Sequence, residues 1–279
     1  MSGEGALVAM LAGQGGTTWL LYPALGVAAG ALAGLLGIGG GIVVVPALVF
    51  AFHLAGFSDA TLTHLAVGTS LATIVFTSLS AIAEHHRNGA VDWPLVRQLT
   101  PWLVAGAIAG AFVADALSGR ALQVVFGAFA LLMALQMATG WRRGAQSPLP
   151  GGGRLALASS SIGTASSVFG IGGGSLTVPW LSWHGVVMQR AVATSAACGF
   201  PIALAGALGF AGTGLDAAAR PAFSAGYIYL PAFIGIVVTS VPVALVGARY
   251  AHRLPATTLK KLFAIVLAVV GTEFIVGWR

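Results

Sequence analysis

The chain has 279 residues, of which 57% are hydrophobic and only 7% are charged. Soluble domains carry about 25% charged residues, so this composition excludes a surface covered by water and indicates a polytopic membrane protein. The net charge of +6 does not indicate a nucleic-acid partner, because the few basic residues lie between apolar segments, where they act as orientation signals.

The apolar segments, taken in chain order, predict two halves joined by one linker. A tail at residues 1–18 precedes the first transmembrane half at 19–141, and a linker at 142–154 precedes the second half at 155–279. The apolar runs are long and continuous, as helical spans require, and they lack the alternation of β-barrel strands. The sequence therefore predicts an all-α protein.

In the first half, apolar segments are predicted at about 19–36, 42–56, 65–83, 95–117 and 122–141. In the second half they are predicted at about 155–169, 191–211, 227–250 and 259–276, with a short piece ending at 184 after the first of them. The segment 42–56 and the piece ending at 184 are short for a full crossing, which needs about 20 residues.

A glycine-rich stretch interrupts the first apolar segment of each half. Gly37-Ile38-Gly39-Gly40-Gly41 with Pro46 returns, 133 positions later (170 minus 37), as Gly170-Ile171-Gly172-Gly173-Gly174 with Pro179. Adjacent glycines supply free backbone angles and accessible N–H groups. Matched Gly/Pro interruptions in two halves are the best sequence indication of a transporter's substrate site. We therefore predict that Gly37, Pro46, Gly170 and Pro179 mark helix breaks that serve in gating.

The basic residues predict how the chain is oriented. If each glycine stretch counts as a single crossing, the 13 basic residues divide seven against six, with no signal. If the pieces flanking it cross twice, or dip and return, one side holds ten: Arg87, Arg97, Arg142, Arg143, Arg154, Arg190, Arg249, Arg253, Lys260 and Lys261. The other side keeps only Arg120, Arg220 and Arg279. This positive-inside pattern favours the second topology.

That topology places both chain termini on the non-cytoplasmic side of the membrane and gives each half an odd number of side changes. The halves are then inverted relative to each other, which is a common transporter architecture. We therefore predict two inverted-topology repeats, each with a Gly-broken helical hairpin and three transmembrane helices.

The two breaks form the candidate substrate site. A helix N-terminus presents free N–H groups and a positive dipole end, both of which suit a small anion. We expect the breaks to meet near the bilayer midplane and to bind the anion through backbone amides and neighbouring side chains. The candidate residues are Gly39, Gly40, Gly41, Thr69, Ser70, Thr73, Gly172, Gly173, Gly174, Ser175, Thr194, Ser195 and Cys198.

Structural alternatives exist for each of these features. The glycines could serve only close helix packing, the hydroxyls could bond their own backbone, and Cys198 could be a small apolar filler. His64, His184 and Arg190 are candidates for steering a proton or the anion, although each also suits a membrane interface.

Other chemistry has little support in the sequence. Glu84-His85-His86 does not predict a metal site, because adjacent histidines on a helix cannot both face inward and no companion ligand is evident. No catalytic or cofactor motif is present, so we expect neither an enzyme nor a cofactor.

No carboxylate relay that could couple transport to a proton or a sodium ion is evident, and a membrane potential of about 100 mV supplies roughly 2.3 kcal/mol per expelled charge. Export without a coupling cation is therefore conceivable.

The chain resembles the sulfite exporter TauE/SafE family of membrane permeases, also called DUF81. The resemblance rests on the two glycine stretches with their prolines and on Ala66-Val67-Gly68-Thr69-Ser70, repeated as Ala191-Val192-Ala193-Thr194-Ser195. It covers nearly the whole chain and implies transport of sulfur-containing anions, such as sulfite or organosulfonates, with export the expected direction. Ala193 stands where Gly68 lies in the first copy, so the two sites are not expected to be fully symmetric.

Three alternatives stay open at this point: an anion channel, an uptake permease for a small anion, and a membrane protein with a structural or assembly role. The sequence also leaves open whether the protein forms a homo-oligomer in the lipid bilayer.

Overall fold

The structure is a computed structural model that describes residues 16–36, 40–139, 148–250 and 256–277. These residues form ten α-helices: α1 (Gly16–Leu36), α2 (Gly41–Leu54), α3 (Leu62–Arg87), α4 (Trp93–Asp115), α5 (Gly119–Thr139), α6 (Gly152–Val168), α7 (Gly174–Trp183), α8 (Met188–Thr213), α9 (Leu230–Tyr250) and α10 (Ala256–Val276). A 3-10 turn (Gly214–Asp216) and an antiparallel hairpin, β1 (Ser224–Ala225) and β2 (Ile228–Tyr229), connect α8 to α9.

Within the described ranges, four helices are long and apolar enough to cross a membrane: α3, α4, α5 over Gly119–Gln136, and α8 together with the turn to Asp216. Shorter apolar stretches lie in α1, α2, α9 and α10. Each predicted apolar segment corresponds to one helix. The prediction of a helical, multi-pass membrane protein is thus confirmed, whereas the inversion of the halves stays a prediction.

The helix boundaries differ from the predicted ones at three places. α1 begins at Gly16, inside the predicted tail, and α6 begins at Gly152, inside the predicted linker. α3 continues through Glu84-His85-His86 to Arg87, four residues past the predicted end at about 83. Gly89 follows with a φ of 63°, a left-handed conformation that favours glycine and ends the helix. The β1–β2 hairpin is also new, because two-residue strands leave no alternating pattern to detect.

The helices of the two halves pack in matched pairs. α1 packs along α9, and correspondingly α6 packs along α4, so that the first helix of each half lies against the other half. α3 contacts α8 at the centre, and α5 contacts α10. The halves therefore interlock and do not form two separate bundles.

The connections gather at two opposite ends of the bundle. At one of them, which we name the Thr61 end, the Thr61 hydroxyl donates to the Ala219 carbonyl (3.1 Å). Gly119 lies there against the Asp59 carbonyl. At the other, the Leu149 end, Leu149 packs in one apolar cluster with Val91.

The two interrupted hairpins each begin and end at one end of the bundle. Leu149 precedes α6 and Val186 follows α7, and both side chains pack in the cluster that contains Val91. Tyr22, near the start of α1, contacts Phe52, near the end of α2, with ring centroids 6.4 Å apart. The pair α6–α7 therefore returns to the Leu149 end. The pair α1–α2 returns to the Thr61 end, because α2 finishes at Leu54, only seven residues (61 minus 54) before Thr61.

Glycines bring the paired helices to backbone distance. On α4, Gly106 faces Ser160 of α6, and a methyl group placed on Gly106 would lie 2.9 Å from the Ser160 Cα. On α1, a methyl group placed on Gly30 would lie 2.8 Å from the Cα of Ser240 on α9. Small residues permit such close approach between helices in lipid. These glycines therefore join the halves through packing.

Gly106→Ala is expected to destabilise the protein, because the added methyl group would overlap the α6 backbone and overpacking costs about 1–3 kcal/mol. Gly212→Ala is the matched control, since no heavy atom lies within 4 Å of a methyl group at Gly212. Thermal unfolding of the detergent-solubilised protein should give a lower Tm for the first variant and an unchanged or higher Tm for the second. Equal Tm values would show that α4 and α6 are not packed this closely.

Candidate anion-binding site

Each glycine break forms the N-terminal cap of a short helix. Gly40 caps α2 with a φ of 71°, and Gly173 caps α7 with a φ of 76°. Both are left-handed conformations, which glycine adopts at little cost and other residues rarely adopt. The Gly173 carbonyl accepts hydrogen bonds from the N–H groups of Leu176 (3.1 Å) and Thr177 (2.8 Å), and Gly40 accepts the corresponding pair. The sequence repeat therefore encodes one local geometry twice.

The two breaks contact each other in the interior. Gly41 lies against Gly170 and Ile171, and a methyl group placed on Gly41 would lie 3.1 Å from the Ile171 Cα. The described residues of both stretches, 40–41 and 170–174, are buried. Gly37 and Gly39 lie outside the described residues. The breaks are thus adjacent, and the described parts of both are enclosed by protein.

The helices that start at the breaks have ends suited to an anion. α2 has 14 residues and α7 has 10. By helix geometry, the first N–H groups of each helix, on Gly41 and Ile42 and on Gly174 and Ser175, have no intrahelical acceptor. Each N-terminus also carries the positive end of the helix dipole, equivalent to about half a charge. Both N-termini are therefore buried, and that of α2 lies against the segment that precedes α7.

Three hydroxyls have no hydrogen-bond partner among the described residues: Ser175 and Thr177 in the first turn of α7, and Ser195 on α8. Ser175 is 8% exposed, and the other two are fully buried. Buried polar groups are almost always paired, so unpaired hydroxyls beside a helix N-terminus indicate room for a polar guest. Ser175 also lines a cavity of about 410 Å³ between α5, α6 and α7, which opens to the outside of the bundle at the exposed Leu132 and Trp183 and is walled further in by Ile162 and Trp180.

The sequence analysis missed Thr177, although a signal for it exists. At the repeat offset of 133 (170 minus 37), Ser175 corresponds to Ile42 and Thr177 to Val44. Hydroxyls therefore replace branched apolar side chains in the second break only. Ser166 and Ser167, at the end of α6, are also buried and unpaired among the described residues. The second break is the more polar of the two.

The hydroxyls of α3 are largely used by protein groups. Ser70 donates to the Gly170 carbonyl (2.8 Å), which fixes α3 to the second break. Thr73 donates to the Ser70 carbonyl (2.7 Å) in its own helix, and Thr77 bonds α3 carbonyls in the same way. The Thr73 hydroxyl hydrogen is therefore engaged within α3, as the structural alternative expects.

Thr69 and Thr194 make reciprocal ties between the halves. Thr69 Oγ1 accepts the backbone N–H of Tyr229 (2.9 Å), just before α9. Thr194 Oγ1 accepts the N–H of Asp92 (3.2 Å), just before α4. Each hydroxyl still has its own hydrogen to donate. These two residues connect the break region to the helices that follow in the opposite half.

The remaining candidates divide between interior and surface. Cys198 is fully buried and packs in an apolar cluster with Ile202, which agrees with its role as a filler. His184 lies at the end of α7, half-buried, with Nδ1 2.8 Å from the Trp180 carbonyl. Arg190 is exposed in the first turn of α8. His64, in contrast, is only 3% exposed, and its Nε2 lies 2.9 Å from the Ala114 carbonyl.

The prolines occupy equivalent places in the two short helices. Pro46 lies six residues after the Gly40 cap, and Pro179 lies six residues after the Gly173 cap. Because proline has no N–H, each leaves the carbonyl four residues earlier without its helical donor. The prolines therefore weaken the first turns of α2 and α7, next to the breaks.

Comparison with known proteins places the chain among membrane transporters. The profile of the sulfite exporter TauE/SafE family matches residues 22–274. A "Probable membrane transporter protein" of Haemophilus influenzae is 38% identical over 260 residues, covering 90% of this chain and 96% of that protein. A similarly named protein of Methanocaldococcus jannaschii is 28% identical over 269 residues, covering 90% and 94%. No solved structure matches the chain significantly.

Ser70→Ala and Ser195→Ala are expected to change stability in opposite directions. Ser70→Ala removes a hydrogen bond worth about 1 kcal/mol and leaves the Gly170 carbonyl unpaired, so the Tm should fall. Ser195→Ala removes a buried hydroxyl that lacks a partner, so the Tm should stay or rise. Thermal unfolding without added anion measures both. A similar fall for the two variants would mean that the Ser195 hydroxyl is paired and is not a vacant donor.

Proposed function

The chain belongs to the sulfite exporter TauE/SafE family, and on that premise we propose that it exports small sulfur-containing anions across the inner membrane. Sulfite and organosulfonates are the substrates that we expect. The chain is a multi-pass membrane transporter. We propose its substrate, the direction of transport and the binding site. The observation that carries it is the contact between two buried helix breaks, at Gly41 and Gly170.

The anion is held by backbone donors and hydroxyls and not by a basic side chain. Its oxygens accept hydrogen bonds from the free N–H groups at the starts of α2 and α7, including those of Gly41 and Gly174. Ser175, Thr177 and Ser195 supply further donors that have no partner among the described residues. Hydrogen bonds to charged groups contribute about 1.5–3 kcal/mol each. A sulfite or sulfonate group suits this site because it presents three oxygens around one sulfur.

An organosulfonate would also use the space beside the site. The cavity of about 410 Å³ begins at Ser175 and is otherwise lined mainly by apolar side chains, among them Leu132 and Trp180. Binding pockets for small molecules commonly enclose about 300–1,000 Å³. A bare oxyanion needs little of this volume, whereas the organic part of a sulfonate would fill more of it.

Transport follows from exposing the breaks to one side at a time. In the proposed topology the halves are inverted, both termini are non-cytoplasmic, and the α1–α2 and α6–α7 hairpins reach the centre from opposite ends. The different ends at which these hairpins return support this arrangement. Rocking of one half against the other would then open the site alternately. An inside-negative potential of 100 mV favours the exit of one negative charge by about 2.3 kcal/mol.

Replacing donors at the second break should weaken binding without loss of fold. Ser175→Ala and Thr177→Val each remove one hydrogen bond to a charged guest, so each should weaken sulfite binding about tenfold or more. Ser182→Ala, at the far end of α7, is the matched control and should bind like the wild type. Isothermal titration of the purified protein with sulfite, methanesulfonate, taurine and sulfate measures these affinities.

Wild-type affinity in both variants would remove the Ser175 and Thr177 hydroxyls from the binding site. No binding of any of these anions to the wild type would refute the proposed substrate class. These hydroxyl variants test the site better than a Gly173→Leu substitution would. A leucine at position 173 would be strained by the φ of 76°, and its Cβ would lie 2.5 Å from the Ile202 side chain, so the variant would disturb folding itself.

A further inference from the structure

The cavity that begins at Ser175 is a slot between α5 and α7, which we name the α5–α7 slot. Ser175, Pro179 and Trp183 line it, and their spacing of four places them on one face of α7. Eight residues separate the first from the last (183 minus 175), or about 12 Å along the helix. Leu132 and Gln136 of α5 line the opposite wall. The slot therefore extends from the second break toward the Leu149 end, to which α7 returns.

The inner end of the slot is polar, whereas its walls are apolar. The Ser175 side chain is 8% exposed, and its hydroxyl has no partner among the described residues. It lies in the first turn of α7, where free N–H groups and the helix dipole attract an anion. Among the described side chains along the walls, only Gln136 and two tryptophan indoles can donate a hydrogen bond. A guest that matches the slot therefore joins an anionic group to an apolar remainder.

The mouth of the slot faces lipid. Leu132 and Leu135 are 61% and 63% exposed, and both lie in the part of α5 that is long and apolar enough to cross a membrane. Trp183, exposed at the end of α7, lies at the same mouth, and tryptophan is enriched where a membrane meets water. An apolar chain held in the slot can therefore extend between the helices into the bilayer.

The slot also approaches the side from which an exporter loads. In the predicted orientation Arg87 and Arg154 are cytoplasmic. Arg87 ends α3 and Arg154 lies in the first turn of α6, next to the apolar cluster that defines the Leu149 end. Because α7 returns to that end, the mouth at Trp183 lies in the cytoplasmic half of the predicted span.

We propose that the α5–α7 slot binds the hydrocarbon tail of a single-chain alkanesulfonate whose sulfonate group is held at the second break. The inference rests on the proposed function and narrows its substrate class to sulfonates with an apolar tail, ahead of sulfite itself. A charged group on the tail, as in taurine, would lie among apolar walls without a partner, which is costly. A phospholipid matches the slot poorly. Its polar headgroup belongs at the membrane surface, whereas the polar end of the slot is the buried one.

Chain length tests this inference on the wild-type protein. Isothermal titration in lipid nanodiscs would use methane-, ethane-, butane- and hexanesulfonate, with empty nanodiscs as the blank for partitioning into lipid. Affinity should rise about fourfold with each added methylene, as expected when a CH₂ group leaves water for an apolar site. Taurine should bind at least about tenfold more weakly than ethanesulfonate, because its ammonium group loses water without gaining a partner.

Variants locate the tail. Ile162→Trp should flatten the series, because the larger side chain fills the slot between α5 and α7. Leu157→Trp is the matched control: it makes a similar change on the same helix at a residue that is 72% exposed and does not line the slot. This control should give the wild-type series. Leu132→Ala guards against misfolding of the Ile162 variant, because Leu132 is exposed, and should reduce the gain for the longer chains.

Each outcome separates this inference from the proposed function. Binding of sulfite and methanesulfonate with a flat chain-length series in the wild type would overturn the inference and leave the proposed function standing. No binding of any sulfonate or of sulfite would refute the proposed function, and the inference with it. An unchanged series in Ile162→Trp and Leu132→Ala would place the tail elsewhere and overturn the assignment of the slot.

Two further controls identify a different occupant. Hexanol that binds as tightly as hexanesulfonate would show that the slot takes apolar chains without help from the break, which contradicts the inference. Mass spectrometry of the purified proteins detects retained lipid. Phospholipid that is kept by the wild type and lost from Ile162→Trp, together with a flat sulfonate series, would assign the slot to a lipid chain and overturn the inference.

Discussion

The whole arrangement depends on what a broken helix requires inside a membrane. Backbone N–H groups have no water to bond in the hydrocarbon region, so irregular backbone at that depth must be enclosed by protein or line a polar cavity. The chain meets this requirement by bringing its two breaks together. Gly41 lies against Gly170, and α3 and α8 cross beside them. The remaining helices enclose this centre.

The two breaks are enclosed because each half packs its first helix against the other half. α1 lies on α9 and α6 lies on α4, each through glycines that admit the partner's backbone. Single hydrogen bonds join the halves in the same reciprocal way: Thr69 accepts a hydrogen bond from the Tyr229 N–H, and Thr194 accepts one from the Asp92 N–H. These reciprocal hydrogen bonds tie each half to the other beside the two breaks.

Much of the fold was accessible from the sequence, because apolar length and glycine punctuation are strong local signals. The breaks at Gly40 and Gly173 and the helices around them follow from those signals. The packing between helices could not be predicted from these local signals. The pairing of α1 with α9 depends on which small residues meet across space, and the burial of His64 depends on Tyr227, which lies far along the chain. The unpaired state of Ser175 and Ser195 is equally a property of neighbours and not of spacing.

The central claim is that backbone amides at the two breaks bind the anion. Amide NMR of the protein labelled with ¹⁵N-glycine tests this most directly, by following individual N–H groups as sulfite is added. The account predicts that the Gly41 and Gly174 resonances shift together with one dissociation constant, while Gly212, at the far end of α8, stays unchanged. Resonances of Gly41 and Gly174 that do not move at saturating sulfite would contradict it.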